Sequence, residues 1–339
     1  MNLPWQRRAR TDSLVIARSD QQFVYVQAQG TRILRCGTEL KGDADMTAFA
    51  HRVRALGLPS TEVLALLALG ESQVLKIEAP AVPPEELKAA ARWRIKDLVD
   101  THLDDLTLDV MHVGDGRHKA QHQLFVVAAA TRLVRELSEW SHAARLELSV
   151  IEIRETAQRN LQSAAAAARG RQAQASAALM VHGDECLLTI CANGELFYSR
   201  RLAWQPDVLK AHHAPAMSAQ VDHQSSGFAD LDIVDYSDEG NAGIDLAEAT
   251  PPLVVELQRS FDVWERSSPD LPLDHLLVHA NGHTAMLVEL LSPAMPMPVT
   301  AFDADALFPG FAAAAGTAEL SSAALPLLGA LLRAETRQL

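Results

Sequence analysis

Cysteine is scarce in this 339-residue chain: three residues, Cys36, Cys186 and Cys191, at spacings that form neither a metal-binding set nor a disulfide framework. That scarcity points to a reducing compartment and to buried thiols. Long hydrophobic runs are also missing. The nearest approaches, LALLAL at 64–69 and AALPLLGALL at 323–332, fall short of the ~20 apolar residues that span a bilayer. Positive charge is in deficit, with 30 Lys and Arg against 43 Asp and Glu and a formal net charge of -13. Such a chain is repelled by phosphate backbones and by anionic lipid, so nucleic acid and direct lipid binding are poor expectations. The one basic cluster, Arg7, Arg8 and Arg10, lies in a segment too short and too polar for a signal peptide.

Catalytic signatures are absent too. There is no P-loop, GxGxxG, GxSxG or HExxH, and no recognisable Cys–His spacing. The acid pairs Glu85–Glu86 and Asp104–Asp105 are explained by a helix start and a turn, without general acid–base chemistry. His275 and His279 on one strand would stand about 13 Å apart, too far for one ion, so with His283 they read as polar residues around a strand end. His212 and His213 read as part of a solvated loop.

What is present is length for about two domains and a repeated layout. Residues 14–18, 22–27 and 31–40 form three strand-like runs joined by turns at 19–21 and 28–30. Residues 178–181, 186–191 and 195–202 repeat the pattern, with turns at 182–185 and 192–194. Both are antiparallel meanders whose second turn contains glycine. After the first come a helix at 46–57, a strand at 61–69, a helix at 85–102, a strand at 122–130 and a helix at 131–144. A strand at 148–153 and a helix at 154–170 lead into the second meander. An irregular excursion at 205–228 follows it, then a strand at 230–234, a helix at 251–267, a strand at 275–282 and a helix at 283–292. The layout predicts a duplicated α/β pair of mixed sheets covered by helices.

On the helix expected at 85–102, Leu87, Ala91, Ile95, Leu98 and His102 share one stripe, while Trp93 lies about 240° round from Leu87. A tryptophan there is either wedged between subdomains or offered to a partner. On the helix near 254–267, Val254, Leu257, Phe261 and Trp264 form a core stripe, and Arg259 and Asp262 fall away from it.

Three stretches, PPEELKAAARWRIKDLVD at 83–100 followed by Asp109, IEIRETAQRNL at 151–161 and ELQRSFDVWERS at 256–267, carry a family resemblance together with the meanders and ALPLLGALLR at 324–333. The chain resembles the actin-like pilus assembly proteins of the PilM group. Within that group it is most similar to the MshI branch of mannose-sensitive haemagglutinin (MSHA) pilus systems.

The resemblance implies an actin-like, ribonuclease H-like duplicated fold of two lobes. The first lobe would be 1–170 with a small subdomain inserted around 75–130. The second would be 171–339, its helix at 320–334 packing back towards the first. It implies a cytoplasmic protein, peripheral at the inner membrane, that docks the cytoplasmic tail of a bitopic PilN- or MshJ-like partner. Trp93, with Ala89 and Lys96, would frame the groove for that tail.

PilM itself binds ATP between its lobes, but this sequence departs from that pattern. Ile16 and Arg18 stand where an Asp and a Gly are expected, leaving Ser19 and Asp20 in the first turn and Gly183 and Asp184 in the second. The purine-side loop retains Gly282, and Arg259 could face the interlobe cleft. The expectation is a scaffold with no nucleotide cofactor. If Mg-ATP binds, these six residues hold it. The rivals are an active ATPase or ATP-gated switch of the same fold, and a type II secretion L-like component. The latter normally continues into a membrane span, and the sequence to Leu339 holds none.

Overall fold

The computed structural model describes residues 12–59, 62–114, 123–207 and 250–334. Arg7, Arg8, Arg10, His212, His213, the strand expected at 230–234 and all but the first three residues of the 205–228 excursion lie outside them.

Strands β1 (Ser13–Arg18), β2 (Gln22–Gln29) and β3 (Arg32–Leu40) form the first meander. Helix α1 (Met46–Ala55) and strand β4 (Val63–Leu66) follow. An insertion comes next, with β5 (Ser72–Glu78), α2 (Leu87–Arg94), β6 (Leu106–His112) and β7 (Gln123–Ala130). Helix α3 (Thr131–Ala143) and strand β8 (Leu148–Glu152) complete the first half, and α4 (Arg154–Ala168) leads to the second.

The second meander is β9 (Ala175–His182), β10 (Glu185–Ala192) and β11 (Glu195–Ala203). Then come α5 (Pro252–Ser267), β12 (Leu273–His279), α6 (Thr284–Leu291), β13 (Val299–Ala301), α7 (Phe311–Ala315) and α8 (Ala318–Leu331). The sheets run β3-β2-β1-β4-β8 and β11-β10-β9-β12-β13, the same order twice. In each, the meander is antiparallel and the two later strands add in parallel.

Strand alternation decides which face meets which helix. Leu14, Ile16, Phe23 and Tyr25 pack outward against Phe49 and Val53 of α1 and Leu137 and Trp140 of α3. Val15, Val24 and Val26, one residue out of phase, turn inward to Leu325 and Leu328 of α8. In the second sheet Leu179, Leu188 and Ile190 face Leu257, Phe261 and Trp264 of α5, the expected core stripe. Ala178 and Met180 face inward into the same cluster as Val15, with Ala157 and Leu161 of α4. Helices α4 and α8 therefore lie between the two sheets. They touch backbone to backbone: a Cβ on Gly329 would sit 2.6 Å from the Ala157 carbonyl carbon.

Five elements differ from the sequence reading. The helix expected at 85–102 is a 3-10 turn at Pro84–Glu86 followed by α2, which stops at Arg94. Leu87, Ala91 and Ile95 are buried as expected, but Leu98 is 56% exposed and His102 caps the next turn. The difference is tertiary: the Arg92 guanidinium bonds the carbonyls of Leu103 and Leu106 and so holds that strand start back against the helix, where a straight continuation of α2 would not bring it. The strand expected at 61–69 ends at Leu66, where Glu71 accepts the Ala68 N–H and closes a 3-10 turn. Strand β12 ends at His279, before the Asn281–His283 turn. Strands β6 and β13 were not expected, although Leu106, Leu108 and Val110 alternate with exposed Thr107 and Asp109.

The insertion has its own antiparallel sheet, β5-β7-β6, closed by α2 over Leu108, Val110, Leu124 and Val126. Its other side reaches the second lobe. Val113 and Phe125 pack on Cys191 and Leu196, and the Gly114 N–H donates to the Leu196 carbonyl at 2.8 Å. Gly114 has φ +69, and any Cβ there would strike the Phe197 ring. The insertion is thus a bridge between the lobes.

Candidate functional site

In each five-stranded sheet the parallel strands end on the side where the lobes meet, and α4 starts there. The junction of β8 and α4 is charged, with Glu152 and Glu155 buried and Arg154 half-buried. Glu152 accepts from Thr156 Oγ1 and, at 2.6 Å, from Arg333 Nη1 just past α8. Arg154 Nε donates to the Leu67 carbonyl at 2.9 Å. Glu155, 1% exposed, takes a 3.0 Å bond from Arg201 Nη2 of β11, and the same nitrogen reaches the Ser72 carbonyl of the insertion at 2.7 Å.

Burial raises the Glu155 carboxyl above its usual range against the pull of Arg201. Burial also lowers Arg154 to about 10, opposed by Glu71 and Glu155. Half-buried His182 and His279 are lowered by burial, and His182 further by the charges of Arg154, His279 and Arg201. Glu155 Oε2 and Nε2 of both histidines are buried polar atoms with no hydrogen-bond partner among the described residues. Deeper along α4, Thr189 Oγ1 of β10 accepts from Gln158 and donates to Gln162.

The six residues expected to hold nucleotide are not joined by any hydrogen bond or ion pair to one another among the described residues. Ser19 Oγ accepts the N–H groups of Gln21 and Gln22 at 3.2 and 3.1 Å, so the first turn is closed on itself and these two donors are used. Asp20 is exposed. Ile16, at the expected acid position, is fully buried, and the Arg18 guanidinium lies 5.6 Å from the Trp140 ring centre. Gly183, at φ +68, and Asp184 make an exposed two-residue hairpin turn. Gly282 lies in the turn before α6, whose Thr284 Oγ1 takes the Ala280 N–H and caps it internally. Arg259 is exposed on α5 and pairs with Glu256, which also holds Arg200.

A hydrated Mg2+ with a triphosphate needs a directed acid and free backbone donors, and these residues do not fit that group. Two cavities are present, about 220 Å3 lined by Val53, Arg54, Leu58, Ala144, Arg145 and Leu146, and about 60 Å3 near Leu202 and Pro252, and none of the six nucleotide candidates lines either.

Ala89, Trp93 and Lys96 are all exposed on one side of α2 and the turn after it. Trp93 is not wedged between subdomains: it is 70% exposed, and Leu98, five residues on, is 56% exposed. His275 is not at a strand end but buried within β12, its Nδ1 2.9 Å from Asp274 Oδ2. No group of three or more metal-ligating side chains exists among the described residues.

The interlobe cluster of Glu152, Arg154, Glu155 and Arg201 went unread in the sequence. Its signal was there, because IEIRE places charges at a strand-to-helix junction between apolar flanks, where they must be buried and paired.

No protein family matches the chain by sequence, and no curated protein does. Among solved structures it superposes on a PilM–PilN type IV pilus biogenesis complex at TM-score 0.65 and 15% identity, over 96% of this chain and 99% of that one. The fold is actin-like.

More distant actin-like likenesses are the cytoplasmic domain of EpsL, an inner membrane component of the Vibrio cholerae type II secretion system, and a Bacteroides thetaiotaomicron protein of actin-like ATPase fold. The first is 14% identical over 68% of this chain and 88% of that one, at TM-score 0.42. The second is 10% identical over 86% and 91%, at 0.47. No helix among the described residues is long and apolar enough to cross a membrane.

Proposed function

We propose that this chain is a non-enzymatic, PilM-like scaffold of a type IV pilus assembly platform of the MSHA type. It is cytoplasmic and held at the inner membrane by binding the cytoplasmic tail of a PilN- or MshJ-like bitopic partner. The observation that carries the reading is the agreement with the PilM–PilN structure along almost the whole of both chains.

Two features support it. Ser19 takes the Gln21 and Gln22 N–H groups of the first turn and Thr284 takes the Ala280 N–H at the purine-side loop, which favours a cleft without catalysis. The insertion offers Trp93 and Leu98 to solvent beside Lys96, and an exposed tryptophan on a rigid helix is the kind of apolar anchor that captures a peptide. With a net charge of -13, membrane proximity comes through protein contacts and not through lipid.

The test is calorimetric titration of the full chain with a synthetic cytoplasmic tail of the candidate partner. The parent is expected to bind, and a folded Trp93→Ala protein to bind at least ~10-fold more weakly, as loss of an anchor residue does. Equal affinity in the variant would remove Trp93 from the site. No binding by the parent to PilN- or MshJ-like tails would overturn the partner assignment.

A further inference from the structure

The junction of β8 and α4 touches every large part of the molecule. Arg154 holds the end of the first sheet through the Leu67 carbonyl. Glu152 holds Arg333, beyond the helix that packs on that sheet. Glu155 holds Arg201 of the second lobe, and Arg201 in turn holds the Ser72 carbonyl where the insertion begins. One guanidinium nitrogen therefore spans second lobe, α4 and insertion.

We propose that Arg201 and the α4 turn form an internal tie that sets the angle between the lobes without a bound nucleotide, and that anchors the insertion to the second lobe. In a two-lobed protein with an open cleft, the angle is free unless something bridges it, and ligands shift it by binding one state better. Here the bridge is covalently part of the chain and permanently present. Both acceptors, a backbone carbonyl and a buried carboxylate, are bonded by Nη2 alone, whose two N–H groups diverge at a fixed angle in the guanidinium plane, a pre-organised geometry that a freely rotating lysine ammonium at the end of a flexible stem does not hold. The apolar contact of Val113 and Phe125 with Cys191 and Leu196, and the Gly114 bond to Leu196, run alongside the tie and brace it. A peptide docked on the insertion would then be held at a defined position relative to both lobes. The inference rests on the nucleotide-free part of the proposed function and not on the partner's identity.

The test is a distance measurement on the full chain. His51 on α1 and Val263 on α5 are exposed, one on each lobe, and His51→Cys with Val263→Cys provides two labelling sites. Burial raises the native Cys36, Cys186 and Cys191 thiols to about 11, about 12 and about 12, so they stay slow towards the label. Spin-label distances are read by electron double resonance with and without millimolar Mg-ATP.

The expected result is one narrow distance in the parent, unmoved by Mg-ATP, and a broadened or lengthened distribution in Arg201→Ala. Arg201→Lys serves where the alanine protein does not fold, and is expected to broaden the distribution while circular dichroism stays native. A broad distribution in the parent, or parental narrowness in the substituted protein, overturns the tie. A parental distance that shifts with Mg-ATP overturns the nucleotide-free reading instead, and the arginine arm still reports on the tie separately.

Discussion

Replacing Gly329 with alanine sets two opposing effects against each other at the crossing of α4 and α8. Alanine is the better helix former by about 0.8–1 kcal/mol, so the change would stabilise an isolated α8. In the folded chain, however, the new methyl would lie 2.6 Å from the Ala157 carbonyl carbon and 3.0 Å from its Cα, with the carbonyl oxygen nearer still. The obstacle is backbone, which cannot rotate away as a side chain can.

Restoring ordinary carbon contacts of about 3.5 Å requires the helices to part by roughly 1 Å. That parting would loosen the buried set of Leu161, Leu325, Leu327 and Leu328 between the sheets. It would also strain the 3.0 Å bond from Asn160 Nδ2 to the Gly329 carbonyl. Overpacking of this kind costs about 1–3 kcal/mol and a weakened hydrogen bond about 0.5–1.5 kcal/mol. The clash outweighs the propensity gain, and Gly329→Ala is expected to be about 1–3 kcal/mol less stable than the parent.

The assay is urea unfolding followed by far-ultraviolet circular dichroism, with Gly282→Ala as control. Gly282 has open space around its Cβ position and no left-handed backbone, so its substitution should stay within about 0.5 kcal/mol. A Gly329→Ala midpoint at or above the parental one would refute the backbone contact between the helices.

Trp93→Ala, at a 70% exposed position, should leave the unfolding midpoint within about 0.5 kcal/mol of the parent, and a large loss would show that the ring has a packing role. Thiol titration of the native protein should find no fast-reacting cysteine, because burial pushes Cys186 and Cys191 up to about 12 and Cys36 up to about 11; rapid reaction before denaturant is added would contradict their burial. Stability should fall on acidification. His182, His275 and His279 all have folded values below 6.5 because of burial. Below 6.5 the unfolded chain takes up protons that the folded one refuses, at up to about 1.4 kcal/mol per pH unit per histidine. Glu155 works the other way. Its raised folded value favours the folded state as pH drops through that value towards the ordinary carboxylate range, and so offsets part of one histidine's effect. Urea midpoints at about pH 7.5 and about pH 5.5 test this, and His182→Gln with His279→Gln should flatten the slope. An unchanged slope would refute the assignment.

Much of the fold was legible in the residues, and for local reasons. Strand periodicity and turn glycines marked both meanders, because alternation and positive-φ turns are properties of a few consecutive residues. The Val254, Leu257, Phe261 and Trp264 stripe marked the buried face of α5 in the same way. The candidate nucleotide turns were legible as departures from a pattern, and the structure shows what their residues do instead: Ser19 closes its own turn and Arg18 lies over Trp140.

The end of α2 was not legible, because nothing between Arg94 and His102 breaks a helix. It is the Arg92 side chain, bound to carbonyls at Leu103 and Leu106, that turns the chain. Local pattern thus determined the duplicated sheets, the helices that cover them and the place of Trp93 off the apolar stripe, while its exposure was left to the tertiary structure. Only the tertiary structure decided that the insertion bridges the lobes and that Glu152 meets Arg333, 181 residues away, and Glu155 meets Arg201. Periodicity records which face of an element is buried, whereas the identity of the charge buried opposite depends on how distant elements pack, and that information exists only once the chain has folded.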